Sequence, residues 1–176
     1  MAISRIHISK GSRLRSFYYG DEDYKLIGSA NKLACYVSVQ DDVMMEAVFV
    51  SPKNERCGYT VCEVQLSRVN DENPVWSADT THVDTRFQGY GIVPRLYRYL
   101  IIKLNITLQA GSMQSPGGRM IWARLSDLNN ITVYSKTKNG KPYHVETNDE
   151  GTELISDGHY QIYDGASNIQ LFASAA

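Results

Sequence analysis

The sequence predicts a single α+β domain, a mixed and mostly antiparallel sheet flanked by helices. The first half of the chain shows short alternating apolar segments separated by turn residues, which favours antiparallel strands. After residue 91 the apolar residues recur at helical spacing, and a hairpin signal returns near the end. A length of 176 residues is typical of one domain, so residues 1–176 are treated as one unit.

A series of strands is expected before residue 84. Runs of apolar, β-branched and aromatic residues predict strands at 2–8, 33–39, 43–50, 59–66 and 75–83. Turn-forming residues separate these runs, and Pro52 stops the third of them because proline cannot continue a strand ladder. Residues 12–31 are polar and rich in tyrosine, and their pattern leaves a helix and a loop both open.

Two helices are expected in the second half. Apolar residues recur every four positions in the first helix, at Ile92, Leu96, Leu100 and Leu104. Pro94 falls in the first turn, where proline is tolerated. Ser115 and Pro116 suit the N-cap and the first position of the second helix, which we expect to end at Asn129-Asn130.

Further short strands complete the sheet. Residues 106–110 alternate between the two helices, while residues 131–136 and 142–146 flank Asn139-Gly140, a strong hairpin signal. Residues 160–172 supply at least one closing strand. The order of strands, then strand–helix–strand–helix, then C-terminal hairpin strands is typical of an α+β or mixed-sheet domain.

Composition excludes several classes of protein. With 18 basic and 19 acidic side chains, the chain has no excess positive charge for general nucleic-acid binding, although a local basic groove stays open. The sequence has no run of about 18 apolar residues, so no membrane span is expected. The N-terminus lacks the apolar stretch of a secretory signal, and we therefore expect a cytoplasmic protein.

The cysteines and histidines do not indicate a metal site. Cys57 and Cys62 lie five positions apart, which matches neither a zinc knuckle nor a thioredoxin-like motif. With Cys35 they make an odd number, which favours reduced thiols on or between strands. The four histidines are scattered, and no pair has the spacing of metal ligands on a helix.

One segment carries a chemical signal. The predicted strand that ends at Val83 leads into a glycine-bearing turn, and this turn opens directly onto the helix at Ile92. Unpaired amides in the first turn of a helix favour an anion, and glycines let the anion approach the backbone. A dinucleotide fingerprint needs a third glycine and a Walker loop needs Gly-Lys-Ser/Thr, and both are absent.

The turn resembles the pyrophosphate loop of the GNAT acetyltransferase superfamily, in which a Q/R-x-x-G-x-G/A core cradles coenzyme A. Residues 86–91 fit this core literally. A second register is preferred because Leu96 and Leu100 then fall on the family's helix stripe, although Val93 replaces a small residue. The resemblance implies cofactor contacts from Val83, Arg86, Gln88, Gly89, Tyr90, Gly91 and Ile92.

The resemblance covers about residues 75–128 and implies an activity as well as a fold. In the family the strand before the loop binds the pantetheine arm, and the next strand, here 106–110, splays away to leave a V-shaped cleft. The resemblance also implies acetyl-CoA as cosubstrate and a primary amine of a protein or small molecule as acceptor. Residues 111–122 are similar to GNAT-like proteins encoded by tailed phages, which would place the protein in a host cytoplasm or a virion.

Acetyl transfer to an amine needs a base, and the strand before the loop offers several candidates. Histidine is the side chain whose unperturbed pKa lies nearest neutrality, and His82 lies close to the loop. Asp79 and Asp84 are expected on the same strand, and Glu63 is expected on the preceding one. An alternation of two would place Asp79 with Val83 on one face and His82 on the other. A structural role is the alternative for a lone strand histidine.

Acetyl transfer also needs a general acid, for which the sequence offers two positions. Many family members use a tyrosine on the last helix, and aligning residues 115–118 with that pattern puts Trp122 at or beside its position. An indole does not protonate a thiolate, so Tyr134 is the other candidate. The β-branched neighbours of Tyr134 and the following hairpin signal favour a strand, on which this tyrosine would pack against a cross-strand neighbour.

Trp122, Val93 and the lack of an obvious base leave a second function open. In this alternative the chain is a GNAT-like fold without catalysis that serves as a structural or interaction protein. Exposed sheet edges leave a homo-oligomer open in either case.

Overall fold

The computed structural model describes residues 15–69, 74–111, 116–136, 142–147, 153–155 and 170–176. The strand expected at 2–8 and the first part of the closing segment, 160–169, lie outside the described residues. The same holds for Ser115 and for the Asn139-Gly140 turn.

The elements occur in the expected order, with strands on both sides of a strand–helix–strand–helix unit. The first six strands are β1 (Ser16–Tyr18), β2 (Lys25–Ala30), β3 (Leu33–Gln40), β4 (Met44–Pro52), β5 (Cys57–Arg68) and β6 (Val75–Val83). A 3-10 turn at Thr85–Phe87 is followed by α1 (Ile92–Leu104), β7 (Thr107–Ala110) and α2 (Pro116–Ser126). The last strands are β8 (Ile131–Lys136), β9 (Pro142–Thr147), β10 (Glu153–Ile155) and β11 (Gln170–Ala175).

Most of the sequence-based predictions of elements are confirmed. β6 has the expected bounds, both helices begin at the expected residues, and β8 pairs with β9 as a hairpin. The helix expected to reach Asn129-Asn130 ends earlier, at Ser126. Residues 12–31, for which helix and loop were open, instead contribute β1 and β2 within their described part.

The strands form one mixed sheet in the order β10-β9-β8-β11-β7-β6-β5-β4-β3-β2, and β1 also pairs with β5. All of the pairs are antiparallel except β6 with β7, which run parallel because α1 connects them as a crossover. The last strand, β11, inserts between β7 and β8. The α+β class with a mostly antiparallel sheet is therefore confirmed.

One face of the sheet packs against both helices and holds the main core. Most of the expected stripe of α1 is buried: Leu96 and Leu100 are fully inaccessible and Ile92 is nearly so, whereas Leu104 is partly buried. Trp122 and Leu125 of α2 belong to the same core. Among the described residues neither α-helix has the length and apolar character needed to cross a bilayer.

A second cluster covers the opposite face near the N-terminus. Val48 alternates along β4 with Ala47 and Phe49 of the main core, so it points to the other side of the sheet. Phe17 of β1 packs there against the ring of Tyr36, with centroids 4.6 Å apart. The tyrosine-rich segment thus acts as an aromatic cover for this face.

Glu46 lies on this second face, two positions before Val48 on β4. The Tyr24 hydroxyl hydrogen-bonds to its carboxyl group, but Oε1 has no hydrogen-bond partner among the described residues. Burial raises the pKa of Glu46, and the nearby Glu63 carboxylate raises it further. The folded state therefore holds the Glu46 proton to a higher pH than the unfolded chain does.

We expect Glu46→Gln to raise Tm at about pH 8 and to leave it unchanged at about pH 3. A raised folded-state pKa gives stability that is present at low pH and is lost as the pH rises through that pKa. Glutamine has no proton to lose and can still accept from Tyr24. Thermal unfolding of both proteins across this range, with exposed Glu55→Gln as control, measures the effect. A higher Tm of Glu46→Gln at low pH alone would contradict the raised pKa of Glu46.

Gly28 lets β2 approach α1. Its φ of 143° lies in a region that side chains rarely adopt. A Cβ at this position would stand 2.0 Å from the Tyr99 hydroxyl oxygen and 3.3 Å from Cζ of the same ring. Both the backbone and the Tyr99 ring therefore require glycine here.

Gly28→Ala should lower the free energy of unfolding by about 2–4 kcal/mol, because it adds backbone strain to an overpacked contact. Urea unfolding measures the loss. Gly20→Ala is the matched control, since a Cβ there meets nothing within 4 Å, and it should change stability by less than about 0.5 kcal/mol. Adding Tyr99→Phe to Gly28→Ala should restore only the part of the free energy of unfolding that is lost through the contact with the Tyr99 hydroxyl. Equal stabilities for the two alanine variants would refute this account.

Candidate functional site

A cleft lies beside the part of β6 that extends beyond the end of β7. The two strands pair only from Val75–Ala78 against Thr107–Ala110, and β6 continues to Val83 without a register partner in β7. A cavity of about 690 Å³ lies beside this free part of β6 and extends to the glycine loop and α2. β7 pairs with β6 over its whole length and ends at Ala110, so the cleft lies beside the part of β6 that extends beyond this strand.

The closed end of the cleft depends on Gly111. A Cβ built on this residue would stand 3.2 Å from the Ala78 carbonyl oxygen, which is tighter than ordinary packing. The chain leaving β7 can thus pass close to β6 at the last paired residue.

A bulge in β6 changes which residues face the cleft. In the register with β5, Gln65 lies opposite Thr80 and Leu66 lies opposite Ala78, so Asp79 is the extra residue. The expectation that Asp79 shares a face with Val83 is therefore wrong, because the bulge interrupts the alternation. Ala78 and Val83 pack on the main core, whereas Asp79 is exposed.

The candidate base His82 is also exposed and lines the cavity together with Asp79. His82 lies opposite Glu63 in the antiparallel register of β5 and β6. The Glu63 carboxylate in turn accepts from Arg15 at 2.7 Å. Of the four candidate bases, the structure thus brings His82 and Asp79 to the cleft, whereas Asp84 and Glu63 are outside its lining.

The inner wall of the cavity is a packed row of polar and aromatic groups. The Thr81 hydroxyl and the Tyr97 hydroxyl hydrogen-bond at 2.6 Å, and the Tyr97 ring meets Trp122 edge-on with centroids 6.3 Å apart. Burial raises the pKa of the Tyr97 phenol, so this group stays neutral and can donate or accept a hydrogen bond. Sequence reasoning missed Thr81 and Tyr97, because only the packing of α1 on β6 joins them.

Hydrogen bonds between residues of the glycine loop and the end of β6 fix the conformation of the loop. Asp84 is 3% exposed, and its Oδ1 accepts from the backbone amide of Arg86 at 3.0 Å and from the Arg86 guanidinium at 3.1 Å. The Gln88 side-chain amide donates to the Val83 carbonyl at 3.3 Å. These contacts cap the 3-10 turn and close the base of the loop.

Two glycines adopt left-handed conformations at the end of the loop. Gly89 has a φ of 82° and Gly91, the N-cap of α1, has a φ of 68°. The N-cap has no side chain to accept from the first-turn amides, and the first turn contains no acidic residue. The start of α1 is therefore open to an external anion.

Most of the candidate cofactor-binding and catalytic residues line the cavity. They are Asp79, His82, Val83, Gln88, Gly89, Gly91 and Ile92. Arg86 and Tyr90 belong to the loop but are outside the lining, Arg86 held by Asp84 and Tyr90 69% exposed.

Tyr134 is not brought to the cleft. It lies on β8, opposite Phe172 of β11, and the two rings stack with centroids 5.5 Å apart. Burial raises the pKa of Tyr134. The cross-strand packing anticipated as the alternative is therefore what the structure contains.

The described residues contain no group of three His, Cys, Asp or Glu side chains able to hold a metal ion. The three cysteines are free thiols on strands, and burial raises the pKa of Cys35 to about 12. Such a thiol is inert at neutral pH.

No family model matches the chain, and no curated protein matches it. Among solved structures, the chain is similar to a tandem GNAT protein from the clavulanic acid biosynthesis pathway, determined without AcCoA. The match has 20% identity and a TM-score of 0.34, and it covers 64% of this chain but 35% of that protein. So loose an overlap gives no basis for assigning function, which has to come from the cleft.

Asp84→Ala should lower the free energy of unfolding by about 1–2 kcal/mol, since it removes the cap of the turn and the buried partner of Arg86. Urea unfolding gives the value. The control is Asp127→Ala, which removes an exposed carboxylate and should cost less than about 0.5 kcal/mol. Similar losses in both variants would mean that Asp84 does not hold the loop.

Proposed function

We propose that the protein is an acetyl-CoA-dependent N-acetyltransferase that acts on a primary amine of a protein or small molecule. The observation that carries the proposal is the cleft beside the free part of β6, with the glycine loop and the start of α1 at its open end. This is the arrangement that the resemblance to GNAT enzymes implies.

The free edge of β6 suits an extended amide-bearing chain. Beyond Ala78 the backbone groups of β6 that would face β7 have no partner in that strand. An exposed row of N–H and C=O groups binds an extended chain by strand-like hydrogen bonds. The pantetheine arm of CoA carries two amides and would lie along residues 79–83.

The glycine loop suits the diphosphate. Gly89 and Gly91 leave the backbone accessible, and the first-turn amides of α1 point out of the helix. The helix dipole adds a partial positive charge at the same place. Val83, Gln88 and Ile92 would form the walls around this end of the ligand.

In the reaction the amine nitrogen forms a bond to the thioester carbonyl carbon, and the carbon–sulfur bond breaks. A base accepts the amine proton, and the departing sulfur takes up a proton. His82 is the proposed base, with Asp79 as the alternative, because both are exposed in the cleft. Holding the amine against the thioester would supply most of the rate.

One observation favours a second function, a GNAT-like fold without catalysis used as a structural or interaction protein, in a phage particle or elsewhere. The resemblance puts Trp122 at or beside the acid position, and Tyr134 lies on β8 outside the lining of the cleft. Such a protein would bind the cofactor without turnover or would not bind it.

Calorimetry with CoA and acetyl-CoA tests the proposal, and Gly89 offers a matched pair of variants. Asparagine and aspartate have nearly the same shape, both tolerate a positive φ, and a Cβ at Gly89 meets nothing within 4 Å. Gly89→Asp should bind CoA at least about tenfold more weakly than Gly89→Asn, because it adds a negative charge to the loop proposed to hold the diphosphate. Equal binding by the two variants would argue against this loop as the site.

Turnover separates the two functions. Release of free thiol from acetyl-CoA in the presence of a panel of primary amines would support the acetyltransferase. Binding of CoA with no thiol release for any amine would favour the silent fold, and absence of binding at submillimolar CoA would rule out the enzyme.

A further inference from the structure

Arg124 of α2 reaches the glycine loop from the opposite side of the cleft. Its Nη1 lies 3.5 Å from the place where a Cβ on Gly91 would stand, and the residue lines the cavity. The side chain is exposed. It makes no hydrogen bond or ion pair with any other described residue.

The charges that line the cleft are separated along its length. Asp79 follows the last residue pair of β6 with β7, whereas Arg124 lies beside Gly91 at the loop. Asp79 and Val83 are about 13 Å apart along an extended strand. Apart from His82, no other titratable cation or anion lines the cavity within the described residues. The loop end of the cleft is thus the cationic end.

A guanidinium is suited to this place. It presents a planar fork of N–H donors that can bind two oxygens of a phosphate at once, and it stays charged at any pH of interest. The first-turn amides of α1 follow Gly91 directly and have no side-chain cap. A phosphate between them would be held by backbone donors on one side and a charged side chain on the other.

We propose that Arg124 binds a phosphate group of the ligand directly and thereby selects phosphate-bearing CoA over a phosphate-free pantetheine. The inference rests on the proposed function, since it assumes that this cleft holds CoA. In this role α2 is a wall of the phosphate site in addition to its part in the core through Trp122 and Leu125.

The test compares two ligands and four proteins by calorimetry at low salt. The ligands are CoA and pantetheine, and the proteins are wild type, Arg124→Ala, Arg124→Lys and Arg56→Ala. Arg56 is an exposed arginine on the turn before β5, so its alanine variant has the same net charge as Arg124→Ala. Far-UV circular dichroism and urea unfolding establish that each variant is folded.

Arg124→Ala should weaken CoA binding about ten- to hundredfold and leave pantetheine binding unchanged. Arg124→Lys should bind CoA more tightly than Arg124→Ala but less tightly than wild type, because lysine keeps the positive charge and lacks the planar fork of donors. Arg56→Ala should bind CoA like wild type. Added salt should reduce the difference between wild type and Arg124→Ala, because screening weakens an exposed ion pair.

The outcomes distinguish this inference from the proposed function. If wild type does not bind CoA, the proposed function fails, and the inference fails with it. If wild type binds CoA and Arg124→Ala binds it equally well, the inference alone is overturned. Equal weakening for CoA and pantetheine would also overturn it, because Arg124 would then shape the cleft without binding phosphate.

Discussion

The candidate site depends on the short parallel pairing of β6 with β7. Four residue pairs join the strands, after which β6 continues alone. A longer pairing would fill the cleft with strand backbone, and a shorter one would leave the crossover helix α1 without a fixed base. The close approach of the chain at Gly111 to the Ala78 carbonyl marks the last point of contact. The cavity lies along the free part of β6, and the loop and α1 follow directly from its end.

Local periodicity was sufficient to place much of the fold. The four-residue spacing of Ile92, Leu96 and Leu100 and the apolar, β-branched and aromatic residues of 75–83 are properties of neighbouring residues, and both elements have the expected starts. β1 and β2 were not recognised, because a polar, tyrosine-rich segment shows no apolar period. Its strands are stabilised by rings that meet across the sheet, such as Phe17 on Tyr36. Tertiary contacts decided the structure there.

The site was predicted in part for the same reason. The loop residues are contiguous, so Gln88, Gly89 and Gly91 could be identified from the sequence. The bulge at Asp79 shifts the register of β6 against β5, and alternation alone cannot reveal an inserted residue. Arg124 lies more than thirty positions from Gly91 in the sequence, and only the packing of the two helices brings them together. The net charge of the whole chain, which is close to zero, likewise does not indicate where a single cationic side chain lies.

β5 has two different neighbours along one edge. β1 pairs with its first residues, Cys57 to Tyr59, and β6 pairs from Cys62 onward. At the junction the Thr60 amide donates to the Arg15 carbonyl, and the next residue, Val61, accepts from the amide of Asp84. The segment leading into β1 and the beginning of the glycine loop are therefore anchored at adjacent residues. Detachment of β1 would leave an unpaired backbone edge beside the loop, which links the order of the N-terminal segment to the integrity of the cleft.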